Sequence, residues 1–342
     1  MPIRKAKTQV TICQNCILPE TFPGIRFDVN EICNYCKRES LSIAKAPVKK
    51  SEYRRNLDEL IKQTRGHSAT YDAIMAYSGG KDSSYTLKLL REVYDLHILA
   101  FTFDNNFISP IAWQNIKKVT DALQVDQVTF RLPWPVIKNV FRLTAHNDIF
   151  SKPTLLRASA ICTACIGLIK SLTLKTALEM AIPLVAFGWS PGQAPIQSAI
   201  LKTNPRLIRQ NQAVFLKAFE SQKQCDLAPY LIPGSYYDSY QDRFPYNIHP
   251  LAFFPYEEGK IMGALQQLAW RQPDDTDANS SNCLLNAFAN HCHMERHGFH
   301  PYVWEIANMV RQGVMNRDQG IEKIYTSQDH KMVEYAQMKL GL

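Results

Sequence analysis

The stretch Asp72–Leu90, DAIMAYSGGKDSSYTLKLL, constrains this chain more than any other. Ala73-Ile74-Met75-Ala76-Tyr77 is an apolar run with the length of a buried parallel strand. Ser78 to Ser84 then make a compact turn around two adjacent glycines. Tyr85, Leu87, Leu89, Leu90 and Val93 follow with helical spacing. Strand, glycine turn and helix start are how an α/β protein builds an anion site. Backbone N–H groups and the positive end of the helix dipole converge there. Gly79 and Gly80 permit positive φ and close approach of a phosphate, Lys81 adds a cation, and Ser78, Ser83 and Ser84 add hydroxyl donors. The plainer reading is a helix capped by Asp82 or Ser83 after an ordinary turn. An unbroken run of small or polar residues weighs against it.

The spacing is not that of a Walker A loop. Ser-Gly-Gly-Lys-Asp-Ser resembles instead the signature of the PP-loop ATP pyrophosphatases. That resemblance implies an adenine nucleotide alpha hydrolase-like fold. It also implies cleavage of ATP between the α- and β-phosphates, transfer of AMP to a substrate oxygen, and displacement of AMP by nitrogen or sulfur. Ser78, Gly79, Gly80, Lys81, Asp82, Ser83 and Ser84 would hold ATP with Mg²⁺. Lys81 and Asp82 would carry catalysis by positioning and charge stabilisation.

Upstream, Cys13, Cys16, Cys33 and Cys36 form C-x2-C-x16-C-x2-C. Two such knuckles supply four thiolates suited to one tetrahedral Zn²⁺, with every position filled by protein and hence a structural role. The residues between them read as a ribbon with Pro-Gly turn chemistry. Pro19, Thr21, Pro23, Ile25, Phe27 and Asp28 in this ribbon resemble the N-terminal segment of the N-acetyl sugar amidotransferases of bacterial surface-polysaccharide synthesis. The tail rhythm Arg311-x-Gly313-x-Met315-x-Arg317 resembles theirs too. This implies an amidino N-acetyl sugar product, a nucleotide-linked or free N-acetyl sugar substrate, and ammonia from a separate glutaminase subunit, since the chain carries no glutaminase domain of its own.

A second chemical signal lies further on. Cys162 and Cys165 open a helix running to about Met180, and the strand Pro183–Phe187 then ends at Gly188. Thiols at a helix N-terminus are expected to have lowered pKa values and to serve as ligands or nucleophiles; two small residues packing a helix end is the alternative. This cysteine pair followed by Ala177-x-Glu179-x-x-Ile182-Pro183-x-Val185-Ala186-x-Gly188 resembles the tRNA-thiolating PP-loop enzymes. There such a pair binds an iron–sulfur cluster or carries sulfur, so a [4Fe-4S] cluster and a tRNA partner are implied. Those enzymes follow the strand glycine with a histidine and paired aspartates, whereas this chain has Trp189-Ser190-Pro191-Gly192-Gln193. A cluster would want a third ligand. Cys225 is nearest in sequence, with Cys283 and Cys292 as the other choices.

The remaining candidates rest on position. Asp104 and Asn105 end a second apolar strand, Leu96–Phe103, where open parallel sheets bind ligands. With Gly188 they are candidates for the nucleoside end of ATP, or else they form an ordinary loop. Asp274, Asp275 and Asp277 put three carboxylates in four positions, either for Mg²⁺ or as a helix-capping loop. Residues 194–219 read as one helix, with Lys202, Arg206 and Arg209 on either a site-facing or a solvated face. Residues 230–245 read as an irregular substrate loop.

At 342 residues the chain can bury a full core with appendages. Its 46% hydrophobic and 20% charged residues are those of a globular protein. A formal charge of +8 favours an anionic partner without choosing among nucleotides, sugar nucleotides and RNA. Nine cysteines without a signal-peptide core point to metal or redox work in the cytoplasm, with no membrane role. The expected organisation is a zinc ribbon at 1–45, a linker helix at 46–70, a PP-loop domain at 71–225 and a substrate loop with helical extension at 226–342. Its centre is a doubly wound parallel sheet of about five strands. The favoured activity is sugar amidotransfer. Sulfur insertion is the rival, and a non-catalytic nucleotide-binding zinc-ribbon protein a third reading. A homodimer is left open.

Overall fold

The computed structural model describes residues 10–193, 195–220, 226–326 and 330–342. Its centre is a six-stranded sheet in the order β3-β2-β1-β4-β6-β5. The ribbon leads into helices α1 (Asn34–Ala44) and α2 (Ala46–Thr64), after which β1 (Ala73–Ala76) begins the sheet. Helices α3 (Lys81–Glu92) and α4 (Pro110–Leu123) alternate with β2 (Ile98–Asp104) and β3 (Asp126–Arg131). Then come α5 (Trp134–His146), the single turn α6 (Lys152–Leu155), α7 (Ala160–Glu179) and β4 (Leu184–Phe187). β4 pairs with β1 on the side away from β2, so strand order reverses at β1. Ligands bind at such a switch point in open α/β sheets.

Alternation along the strands sends successive side chains to opposite faces. Ala73, Met75, Ile98, Ala100, Leu184 and Ala186 join one buried core; Ile74, Leu99, Phe101, Phe103, Val185 and Phe187 join the other. A sheet greasy on both faces needs helices on both, as the doubly wound architecture expected from the sequence supplies.

One expectation fails beyond β4. Residues 194–219 do not form one helix. After a short 3₁₀ turn, β5 (Ile200–Lys202) pairs antiparallel with β6 (Tyr246–Ile248), and α8 (Pro205–Glu220) begins only at Pro205. Proline suits a first helical turn but lacks the N–H an interior position needs. Lys202 therefore sits over Tyr246 and Arg209 over Tyr237, away from the turn after β1. The segment 230–245, including the turn α9 (Tyr236–Ser239), is irregular and packs Ile232, Tyr237 and Phe244 on Leu174 and Leu178 of α7.

Helix α10 (Glu258–Gln266) packs on α3. A long segment then crosses the carboxyl edge of the sheet to α11 (Asn286–His297). It is followed by α12 (Val303–Arg311), α13 (Arg317–Tyr325) and α14 (His330–Leu340). Asn316 starts α13 through a reciprocal capping box with Gln319. The ribbon shares a core with α12 and α13. Phe22 stacks on Trp304 with ring centroids 5.5 Å apart, Arg317 donates to the carbonyls of Cys13 and Cys16, and the Tyr325 hydroxyl donates to Ile17 O. Thr21, part of the sugar-family resemblance, donates to Gly298 O.

Candidate functional site

The turn after β1 is built as the sequence demanded. Gly79 has φ of +74°, and a Cβ there would lie 2.6 Å from Ile116 Cγ1 and 2.7 Å from Ala112 O. Only glycine satisfies both the backbone and the space. Gly188 serves differently. A Cβ on it would fall 2.7 Å from Ser83 N and closer still to Ser83 Cα, so its bare backbone lets β4 press on the first turn of α3. Within the turn, Ser83 Oγ donates to Gly80 O at 3.0 Å and lies 3.1 Å from Ser78 Oγ. Ser84 is fully buried against the Tyr77 hydroxyl, so it supports the turn from beneath.

Lys81 and Asp82 face an open cleft. Lys81 Nζ lies 2.6 Å from Glu258 and 3.9 Å from Asp82, and the Tyr256 hydroxyl donates to Asp82 at 2.8 Å. Burial works against the Lys81 charge, but the Asp82 and Glu258 carboxylates outweigh it and raise its pKa. Burial pushes the Asp82 carboxyl up. The far wall comes from α12, where Glu305 accepts from Ser190 Oγ at 2.5 Å. Burial raises the Glu305 pKa to about 7. Gly192 makes this contact possible, because any side chain there would strike Glu305 O. The Trp189–Gln193 loop thus packs around Glu305 where the thiolases are expected to have a histidine and aspartates.

The segment Trp270–Cys283 lies across the turn like a strap. Trp270 Nε1 donates to Gly79 O at 2.9 Å, and Lys81 N donates to Ser281 Oγ at 2.9 Å. The strap delivers Cys283, which forms an isolated bridge with Ile108. Asn105 Nδ2 lies 3.6 Å from Cys283 Sγ and 3.8 Å from Cys165 Sγ, so the two sulfurs are no farther apart than those distances combined. Asn286 Nδ2 lies 4.0 Å from Cys162 Sγ and donates to the Tyr302 hydroxyl, itself on the cleft wall, at 2.8 Å. Three thiols thus gather one side chain behind the cleft, each within reach of an amide donor. That donor set suits an iron–sulfur cluster, whose sulfurs accept such hydrogen bonds.

Among the described residues Cys283 joins the pair, and the Cys225 named from sequence lies outside them. Asn105 lies against these sulfurs and its Oδ1 accepts from Phe107 N, and Asp104 accepts from Asn106 N in its own turn. The expected lowering of the thiol pKa values does not hold. Burial pushes Cys162 up to about 12 and raises Cys165 and Cys283 as well.

The aspartates expected to hold Mg²⁺ do not converge. Asp274 is exposed, Asp275 accepts from Ser109 Oγ at the start of α4, and Asp277 accepts from Asn279 N and Asn290. Among the described residues, the one tight group of potential metal ligands is Cys13, Cys16, Cys33 and Cys36. Their closest Sγ pairs are 3.6, 3.8 and 3.9 Å apart. A tetrahedron with Zn–S bonds of about 2.3 Å has edges of about 3.8 Å, so the four sulfurs fit that ion. Glu258, Ser281, Tyr302 and Glu305 were not found from sequence. The one available signal was Glu305, a lone carboxylate in the apolar run Val303–Val310.

No family model matches the sequence. The uncharacterized protein MJ1599 of Methanocaldococcus jannaschii is 22% identical over 315 residues, covering 91% of this chain and 92% of its own length. Among solved structures, the U34-tRNA thiolase NcsA from Methanococcus maripaludis with its [4Fe-4S] cluster aligns over 98% of this chain and 99% of its own, at 16% identity and a TM-score of 0.36. A predicted subunit of tRNA methyltransferase from Methanocaldococcus jannaschii aligns over 68% and 90%, at 16% identity and a TM-score of 0.30. At such loose superposition the chemistry rests on this chain's own residues.

Proposed function

We propose that this chain is an ATP-dependent, AMP- and pyrophosphate-forming enzyme of the PP-loop type that replaces an acceptor oxygen with sulfur. The observation that carries the choice of sulfur is the meeting of Cys162, Cys165 and Cys283 behind the cleft that Lys81 and Asp82 line. The N–H groups of the Ser78–Ser84 turn and the Lys81 ammonium bind the β- and γ-phosphates of ATP, with Mg²⁺ sharing their charge. An acceptor oxygen attacks the α-phosphorus and pyrophosphate leaves; hydrosulfide then attacks the activated carbon and AMP departs with the oxygen. Cys162, Cys165 and Cys283 would hold a [4Fe-4S] cluster, which supplies an iron site for the sulfur. Asn105 and Asn286 orient their sulfurs. With a charge of +8, a tRNA base is the acceptor class this reading favours. Zinc on Cys13, Cys16, Cys33 and Cys36 fixes the ribbon.

One observation favours a second reading, ammonia substitution on an N-acetyl sugar with a separate glutaminase. Asp82, Glu258 and Glu305 line the cleft against only Lys81 and Lys323. Such a wall attracts ammonium and repels hydrosulfide. Part of it comes from the tail that resembles the sugar amidotransferases.

The test is iron and acid-labile sulfide content after anaerobic reconstitution, for the native chain, Cys283→Ala and Cys292→Ala. The sulfur reading expects about four irons and four sulfides per chain, lost in the first variant and kept in the second. Zinc alone, without sulfide, would overturn it and leave ammonia as the nucleophile.

A further inference from the structure

Ser281 stands where a phosphate oxygen would be expected. Lys81 N is the first helical N–H after the glycine turn, the kind of donor that such a turn offers an anion. Here it donates to Ser281 Oγ at 2.9 Å, across 200 residues of sequence. The contact is close-fitting, since a Cβ on Gly80 would lie 2.9 Å from Ser281 Oγ and 3.2 Å from Asn282 Oδ1. A phosphate oxygen and the serine hydroxyl therefore compete for one proton.

What lies beyond Ser281 gives the competition a consequence. Asn282 O accepts from Ser109 N at 2.9 Å, and Ser280 Oγ accepts from Cys283 N at 3.1 Å. Ser280 is itself tied to Asp277 O and Thr276. Cys283, two residues past Ser281, reaches Asn105 and through it Cys165. The strap therefore touches the phosphate turn at Trp270, on Gly79 O, and again at Ser281, and just beyond that second contact it presents a thiol to the three-cysteine site.

We propose that Ser281 is a positioning residue of the phosphate site: it holds the Lys81 N–H until a phosphate displaces it, and the displacement shifts Cys283 within the three-cysteine site. This rests on the nucleotide reading above and adds to it a route by which nucleotide occupancy reaches the thiols. It requires no cluster, because the strap and Asn105 belong to the chain.

The test uses the full chain with its cysteines reduced and magnesium pyrophosphate as the probe. Binding is measured by calorimetry, and iodoacetamide labelling of Cys283 is followed by peptide mass spectrometry. Cys292, half-buried on α11, is the internal reference thiol. Pyrophosphate should raise the Cys283 labelling rate about fivefold, at the low end of usual coupling between sites, and leave Cys292 unchanged. In Ser281→Ala, pyrophosphate should still bind, with Cys283 labelling fast from the start and no longer responsive. Pyrophosphate that binds while Cys283 labelling stays constant or slows would overturn the coupling and leave the nucleotide reading intact. Failure of pyrophosphate to bind the native chain would overturn the phosphate site and the role of Ser281 together.

Discussion

Gly188→Ala tests the geometry that brings the phosphate turn and β4 together. Gly188 is not held at positive φ, so alanine meets no backbone strain there. On that count alone the substitution would stabilise the chain by about 0.4–1 kcal/mol, because the unfolded state loses freedom. The new methyl, however, would lie 2.7 Å from Ser83 N and 2.9 Å from Asp82 O, where carbon contacts relax only at about 3.5–4.0 Å. The atoms in the way are backbone, and they belong to the first turn of α3. Moving them by about 1 Å costs about 1–3 kcal/mol on the overpacking scale, which outweighs the gain. The same shift moves the N–H donors of the phosphate site, and a displacement of that size can cost up to about a hundredfold in function. Urea unfolding should show a net loss of about 1–2 kcal/mol. Calorimetry with magnesium pyrophosphate should show binding weakened at least about tenfold. Gly263→Ala, in α10 with nothing within 4 Å of the added carbon, is the counterpart and should stabilise by about 0.5–1 kcal/mol. If Gly188→Ala matches the native chain in both stability and binding, the reasoning fails.

Glu305→Gln should change the pH dependence of stability. The Glu305 carboxyl titrates at about 7 instead of 4.5, so the folded state holds its proton more tightly and stability falls as pH rises between those values. The variant escapes that loss and should gain up to about 3 kcal/mol over the native chain near pH 8.5 and nothing near pH 4; an offset equal at both pH values in thermal melts would count against it. Chelation of the ribbon metal should release α12 and α13, which share its core, and make the chain cleavable after Arg311 or Arg317 while the sheet keeps its circular dichroism. Resistance of the stripped protein to trypsin there would show that the ribbon does not hold the tail. Asp275→Ala should cost about 1 kcal/mol by freeing the hydroxyl that caps α4, whereas Asp274→Ala should stay within about 0.5 kcal/mol. Equal, large losses of magnesium-dependent activity in both would restore a shared metal role.

What the sequence revealed was local. The β1–turn–α3 unit and the four ribbon cysteines each lie within a short stretch where spacing and residue type decide geometry. β5 escaped because three residues carry no readable alternation, and its strand character comes from pairing with β6 across α8. The thiol pKa argument went wrong on magnitude. A helix N-terminus offers about 0.3–1 kcal/mol, whereas full burial can shift a group by up to about 3–5 pKa units. Burial wins, and sequence alone gave no measure of it at Cys162. Asn105 could be placed at the end of β2, but its neighbour Cys283 could not be read there, since it arrives from 178 positions away.

The same distance separates scaffold from specificity. The sheet and its turn offer an anion site and little else, and many chemistries can be grafted on such a frame. Beyond Asp82, Ser190 and the Cys162–Cys165 pair of α7, the walls that could select an acceptor or a nucleophile come from residues past 250. Glu258 approaches from α10 and Tyr256 from just before it, Ser281 and Cys283 from the strap, and Tyr302 and Glu305 from the region of α12. The ribbon helps hold α12 and α13 through Phe22, Thr21 and the carbonyls that Arg317 engages. The packing demand explains why the ribbon carries residues that four metal ligands alone would not require. It also separates two questions that the sequence presented as one. Resemblance in the ribbon bears on how the tail is held, whereas the choice between sulfur and ammonia falls to the three thiols and the carboxylates that the tail and strap place around Lys81.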